Sequence, residues 1–162
     1  MKLGQVCQTR VVTTGPDEPL ARATDEMRRA HVGALVVVET RLGRVWPVGI
    51  ITDRDAAVAM IDRGTADDLC VRDAMRQPVI VAKANDDFFD GLARMRRSGV
   101  RRLPVVAADG SLFGIITLDD VIDILSAKLR EATSVMVRGR QVEARHATRH
   151  TGSAREEDAA SL

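Results

Sequence analysis

Tyrosine is absent from this sequence, and there are only three Phe and one Trp. With so few aromatic faces there is no platform on which successive single-stranded bases could stack, which argues against nucleic acid as a partner. Charge of one sign is not in surplus either: 24 Lys and Arg face 23 Asp and Glu, a formal net charge of +1. The broad basic field of a DNA- or RNA-binding surface is therefore missing, and any anion site must be local. Cysteine occurs twice, at Cys7 and Cys70, too few and too far apart for a disulfide framework or a metal knuckle. Reduced, packed thiols and a redox-sensing pair both remain open readings. No run of about 18 apolar residues exists to cross a membrane. The opening MKLGQVCQTRVVTTG also lacks the apolar stretch of a signal peptide, so a cytoplasmic location is expected.

Apolar residues are 45% of the chain and charged residues 29%, the balance of a folding globular protein rather than a disordered one. Its internal organisation is a repeat. GIITDRD (49–55) returns as GIITLDD (114–120), with Thr52 and Thr117 separated by 65 residues, and MRRAHVGALVVV (27–38) returns as MRRSGVRRLPVV (95–106), shifted by 68. The difference of three falls between ETRLGRVWP and AADGSLF, a loop, where length changes cost little.

Each copy reads as strand, helix, strand, strand, helix. The β-branched stretches Arg10–Thr13 and Pro78–Val81 predict the first strands, and Asp17–Glu18 and Asp86–Asp87 are suited to start the helices that follow. Leu20, Ala23, Met27 and Ala30, and then Phe88, Gly91 or Leu92, and Met95, mark one-faced helices. Strands are expected at Ala34–Val38 with Val48–Ile51, and at Leu103–Val106 with Leu112–Ile116, each pair joined by a Gly-containing loop. A second helix follows directly from Thr52 and from Thr117. Units of roughly 60 residues make marginal cores alone, so the copies are expected to pack together about a pseudo-twofold axis. A short helix near Val71–Met75 is expected in the link between them. Repeat one is assigned to 3–66, repeat two to 67–130, and a partly helical or disordered tail to 131–162. In the tail a helix is expected over Gln141–His150 with a disordered end. Glu143, His146 and His150 could share a face there as a metal pair, although solvated histidines on a surface helix are the favoured reading, because no third strong ligand is fixed nearby.

Thr52 with Asp55, and Thr117 with Asp120, have the spacing of a helix N-terminal capping box. Capping alone accounts for the residue types. It does not account for a Gly-Ile-Ile strand running straight into the Thr, which points the free N–H groups of the next helix at the carboxyl end of a sheet, where α/β folds hold ligands. A carboxylate there can accept both hydroxyls of a vicinal diol such as ribose.

The doubled G-h-h-T-x-x-D phrase (h, apolar), each copy closing a strand–helix–strand–strand–helix unit, with VRRLPVV ahead of the second, resembles a tandem pair of cystathionine-β-synthase (CBS) domains, a Bateman module, over roughly residues 3–130. The resemblance implies an α/β (α+β) fold of two pseudo-symmetric β-α-β-β-α repeats packed as one module. It also implies a regulatory, non-catalytic role in binding AMP, ADP, ATP or S-adenosylmethionine, with no obligatory cofactor. Asp55 with Thr52 and Asp120 with Thr117 would then hold ribose. Backbone around Val12 and Thr13, and around Val79 and Ile80, would line the adenine sites. Arg101 and Arg102 would face phosphate, although a solvated strand entry or pairing with Asp119 and Asp120 explains them equally. Copy one has Gly33 and Ala34 in place of that Arg pair, so the two sites are expected to be unequal, with Arg54 able to compensate in copy one. The resemblance further implies a homodimer, and output through that dimer, the tail or a separate protein partner.

Two other classes compete. An enzyme is disfavoured because no Gly-rich phosphate loop, nucleophile elbow or His-centred triad accompanies the acidic residues. A stress-related structural or interaction protein that keeps the fold but binds no nucleotide would need the Thr-x-x-Asp phrase only for its caps.

Overall fold

The structure, a computed structural model, describes residues 1–66 and 68–159, with side chains described through residue 140. Its compact first unit, Met1–Asp120, contains both sheets. In copy one, β1 (Thr13–Thr14) pairs parallel with β2 (Ala34–Arg41), and β2 pairs antiparallel with β3 (Arg44–Thr52). In copy two, β4 (Ala82–Lys83), β5 (Arg102–Val106) and β6 (Leu112–Thr117) repeat that order and those directions. Helix α1 (Leu20–Ala30) connects β1 to β2 and α2 (Asp53–Arg63) leaves β3. A short α3 (Val71–Ala74) lies in the link, α4 (Phe88–Ser98) connects β4 to β5, and α5 (Leu118–Ala159) leaves β6. The fold is thus the expected α+β pair of β-α-β-β-α repeats.

The helices bury the faces their spacing predicts. Leu20, Ala23 and Met27 of α1 are buried, and Phe88, Gly91 and Met95 of α4 repeat the pattern at the same positions. Both helices end on a left-handed residue, His31 (φ 52°) and Gly99 (φ 63°). Glycine adopts that conformation freely, whereas His31 carries a steric penalty in the equivalent place.

The two glycines that open the repeated phrase are required by close approach. Gly49 and Gly114 each stand beside a β-bulge, at the shift between Val37 and Val38 in copy one and between Val105 and Val106 in copy two. A Cβ on Gly49 would lie 2.7 Å from Met75 Sδ, and one on Gly114 would lie 2.7 Å from both Cys7 Sγ and the Gln8 carbonyl oxygen. The missing side chains let two segments cross the sheets: Arg76 exchanges backbone hydrogen bonds with Ile50, and Gln8 does so with Ile115.

These crossings exchange core residues between copies. Val71, from the link, is buried in the cluster of copy one with Leu20, Ala23, Met27, Leu35, Val37 and Ile51. Leu3, in a 3-10 turn Leu3–Gln5, is buried against Gly91 of copy two, with its side-chain carbons 3.0 Å from the place a Gly91 Cβ would occupy. At the hairpins, the Trp46 ring packs on Gly110, and Arg44 pairs with Asp109.

Three expectations are corrected. The first strands begin later than Arg10 and Pro78 and comprise only Thr13–Thr14 and Ala82–Lys83, after the chain has crossed the other sheet at Gln8 and at Arg76. Asp17 and Glu18 do not cap α1, whose N-cap is Pro19. Its entry is fixed instead by backbone bonds to the link, Leu20 N–H to the Leu69 carbonyl (2.8 Å) and Val71 N–H to the Glu18 carbonyl (2.9 Å). Asp87 does cap α4, accepting from Phe89 N–H at 2.9 Å. The separate tail helix is instead part of α5, which is uninterrupted from Leu118 to Ala159. No proline breaks this stretch, and it is rich in Ala and Arg, strong helix formers. From Val121 onward this helix is the second unit. The side chains of Glu143, His146 and His150 lie outside the described residues, as do residues 160–162.

Candidate functional site

Both Thr-x-x-Asp phrases form closed capping boxes. Thr52 donates from its N–H (3.2 Å) and its hydroxyl (2.6 Å) to Asp55 Oδ2, and its Oγ1 accepts from Asp55 N–H (3.1 Å). Thr117 and Asp120 repeat this at 2.8, 2.6 and 3.2 Å. Each carboxylate is therefore divided. Oδ2 satisfies the helix entry, which contributes about 1 kcal/mol of stability per cap, while Oδ1 is turned to the segment that crosses the neighbouring strand.

At that oxygen the copies differ. Asp55 Oδ1 accepts from Arg76 Nε at 2.9 Å in an ion pair whose carboxylate is 11% exposed and whose arginine is 69% exposed. Asp120 Oδ1 accepts from the neutral amide of Gln8, with Nε2 at 2.6 Å. Gln8 and Arg76 are 68 residues apart, the spacing of the repeat itself, and each follows the residue packed on the motif glycine. Sequence reasoning missed both residues. Extending the 68-residue register upstream to pair Cys7 with Met75 and Gln8 with Arg76 was the signal that would have found them.

Arg101 and Arg102 have different surroundings. Arg101, just ahead of β5, lines an apolar groove of about 580 Å³ along α4, with Phe89, Leu92, Met95, Val100 and Leu118. Arg102 turns instead towards copy one. Its Nη2 lies 3.5 Å from the place a Cβ on Gly33 would take, and Asp53 Oδ2 lies 3.4 Å from the same point. The glycine that stands where copy two has an arginine thus lies in contact range of an arginine from copy two, beside the N-terminus of α2. Arg54 is exposed, its N–H donating to Asp53 Oδ1 at 2.7 Å, and its side chain has no hydrogen bond or ion pair among the described residues.

The proposed adenine-lining residues lie on the crossing segments or just after them. Val12 is half-buried against the core of copy one and its carbonyl accepts from Val36 N–H at 3.2 Å, while Thr13 opens β1 and is exposed. Val79 and Ile80 are half-buried and follow Arg76 by three and four residues. Cys7, ahead of Gln8, has its thiol pKa pushed up, first by burial and further by the nearby Asp120 charge. Among the described residues no cluster of His, Cys, Asp and Glu is arranged to hold a metal ion. No helix there is long and apolar enough to cross a membrane.

Comparison with known proteins agrees with this geometry. The family model for the CBS domain matches twice, at residues 3–62 and 71–127. The CBS domain-containing protein YhcV of Bacillus subtilis is 30% identical over 113 residues, covering 70% of this chain and 77% of that protein. A Methanopyrus kandleri protein, MK0525, is 32% identical over 125 residues, covering 76% of this chain and 62% of its own length. Among solved structures, CBSX2 in complex with AMP superposes with a TM-score of 0.66 at 24% identity, covering 78% of this chain and 98% of that one. The CBS domain pair of MJ0100, in complex with 5′-methylthioadenosine and S-adenosylmethionine, gives 0.69 at 20% identity, covering 79% and 98%. The chain belongs to the CBS domain family and contains a tandem pair of these domains.

Proposed function

We propose that this protein is a regulatory module that binds an adenosine-containing ligand (AMP, ADP, ATP or S-adenosylmethionine) at the Oδ1 atoms of Asp55 and Asp120 and catalyses no reaction on it. The observation that carries this reading is the division of each motif carboxylate. Capping uses one oxygen, and the other, at a strand–helix junction, accepts only from a single side chain of the crossing segment, Arg76 in copy one and Gln8 in copy two, among the described residues. A ribose diol is the natural donor pair for such an oxygen, and CBS proteins of similar fold are known with AMP and with S-adenosylmethionine. Occupancy would be passed on through a homodimer, through the long terminal helix or to a separate protein, in the cytoplasm.

The competing reading, an interaction protein that binds no nucleotide, draws support from the same hydrogen bonds, since Arg76 and Gln8 already satisfy both Oδ1 atoms without a ligand. Thermal unfolding with each of the four ligands separates the two. Ligand at about 100 times its dissociation constant stabilises by about 2.7 kcal/mol, and that gain is expected to fall in Asp55→Asn or Asp120→Asn. An unfolding temperature unmoved by all four ligands supports the interaction reading.

A further inference from the structure

The crossing residues impose different demands on a ligand at the two motif carboxylates. At Asp55, a diol must take the oxygen that now accepts from the Arg76 guanidinium. Two neutral hydroxyl donors exchanged for a cationic one leave a nearly buried carboxylate without its counter-charge, and an uncompensated charge there is costly. The exchange becomes favourable when the ligand brings its own anion for the released arginine. Arg76 is suited to this: its side chain is largely exposed, and among the described residues only its Nε is engaged, which leaves both terminal nitrogens to form a fork onto a phosphate. Arg102, a copy-two residue that lies against Gly33 beside the start of α2, is a second cation on the copy-one side.

At Asp120 no such exchange of charge arises. Gln8 contributes one neutral amide donor at Oδ1, and a diol replaces it like for like. The ligand needs no anion there.

We infer that Arg76 makes the copy-one site selective for phosphorylated adenosine ligands, whereas Gln8 leaves the copy-two site indifferent to the ligand's charge and open to an uncharged nucleoside. Arg76 acts as a specificity-determining residue: it holds Asp55 while the site is empty and the phosphate once it is filled. This selectivity rests on the adenosine-binding reading above.

The test is isothermal titration of adenosine and of AMP into the wild-type protein, Arg76→Gln, Arg76→Lys and Gln8→Arg, with thermal melts to establish that each variant is folded. In the wild type two classes of site are expected, of which one prefers AMP by about tenfold or more, the worth of a charge-assisted contact. Arg76→Gln should abolish that preference mainly by admitting adenosine, Arg76→Lys should leave it intermediate, and Gln8→Arg should impose a preference for AMP on the second class. A wild-type ratio of AMP to adenosine affinity in every variant overturns the role of Arg76 while leaving the adenosine-binding reading intact. Absence of binding by both ligands to all four proteins overturns the adenosine-binding reading and the selectivity with it.

Discussion

Leu3 and Val71 stand 68 residues apart and fill equivalent places in the two cores, but each does so in the copy it does not precede directly: Leu3 packs against Gly91 of copy two, and Val71 lies in the cluster of copy one. The first residues of the chain are thus structural parts of its second half. Leu3→Ala, which removes a fully buried side chain, is expected to cost about 2–5 kcal/mol. Chemical denaturation measures the total, and hydrogen exchange should localise the loss of protection to α4 and β4–β6 rather than to α1. Loss confined to α1 and β1–β3 would contradict the exchange of core residues.

The glycines of the repeated phrase should respond unequally to a methyl group. On Gly114 the new Cβ meets a backbone oxygen, that of Gln8, at 2.7 Å, and backbone can move only by disturbing the Gln8–Ile115 bridge. On Gly49 the nearest atom is the sulfur of Met75, at the flexible end of a side chain, and the Arg76 carbonyl is farther off at 3.2 Å. Gly114→Ala is therefore expected to destabilise by about 1–3 kcal/mol, the usual cost of overpacking, and Gly49→Ala by less. Urea unfolding of the two variants gives the comparison directly, and equal costs would mean that the crossing segments adjust equally.

The starts of α2 and α5 were legible to the residue, because a strand of Gly-Ile-Ile meeting Thr with Asp three positions on leaves one place for the cap. The first strands were not. Val11, Val12 and Val79 to Val81 are β-branched or apolar whichever neighbour they face, and composition cannot say that the chain has just crossed the opposite sheet, at Gln8 and at Arg76, and pairs in its own sheet only from Thr13 and Ala82. At the candidate site the carboxylates were visible and their partners were hidden. Arg76 reaches Asp55 from 21 residues away, Gln8 reaches Asp120 from 112 away, and Arg102 meets Gly33 across the two copies. Such pairings follow from the packing of the repeats, and local spacing carries no trace of them beyond the shared register.

Acid sensitivity should be traceable in part to Asp87. Hydrogen bonds from Phe89 N–H and from the N-terminal ammonium hold its carboxyl below the usual range. A carboxylate whose folded pKa is depressed contributes stability that is present above the unfolded value of about 3.9 and is lost as pH falls through the folded value. In Asp87→Asn the decline of melting temperature below about pH 4 should be shallower than in the wild type, and the two curves should converge at the acid end. An unchanged slope would assign the acid sensitivity to other carboxylates.

Cys7 offers a reporter for the copy-two site. Partial burial and the negative charge of Asp120 both raise its thiol pKa, outweighing the lowering effect of its backbone hydrogen bond. Because the thiolate is the reactive form, Cys7 should be alkylated by iodoacetamide more slowly than an unperturbed thiol at neutral pH. Its rate should rise along a pH profile displaced to the alkaline side. Asp120→Asn removes the charge, so the profile should move back towards lower pH, whereas Asp55→Asn in the other copy should leave it in place. Peptide mapping after timed alkylation resolves Cys7 from Cys70, whose thiol donates to Asp73 at 3.0 Å and belongs to a different environment. A ligand seated on Asp120 Oδ1 displaces the Gln8 amide beside Cys7, so adenosine should change the Cys7 rate selectively, while a rate indifferent to adenosine at saturating concentration would place the bound ligand away from Asp120.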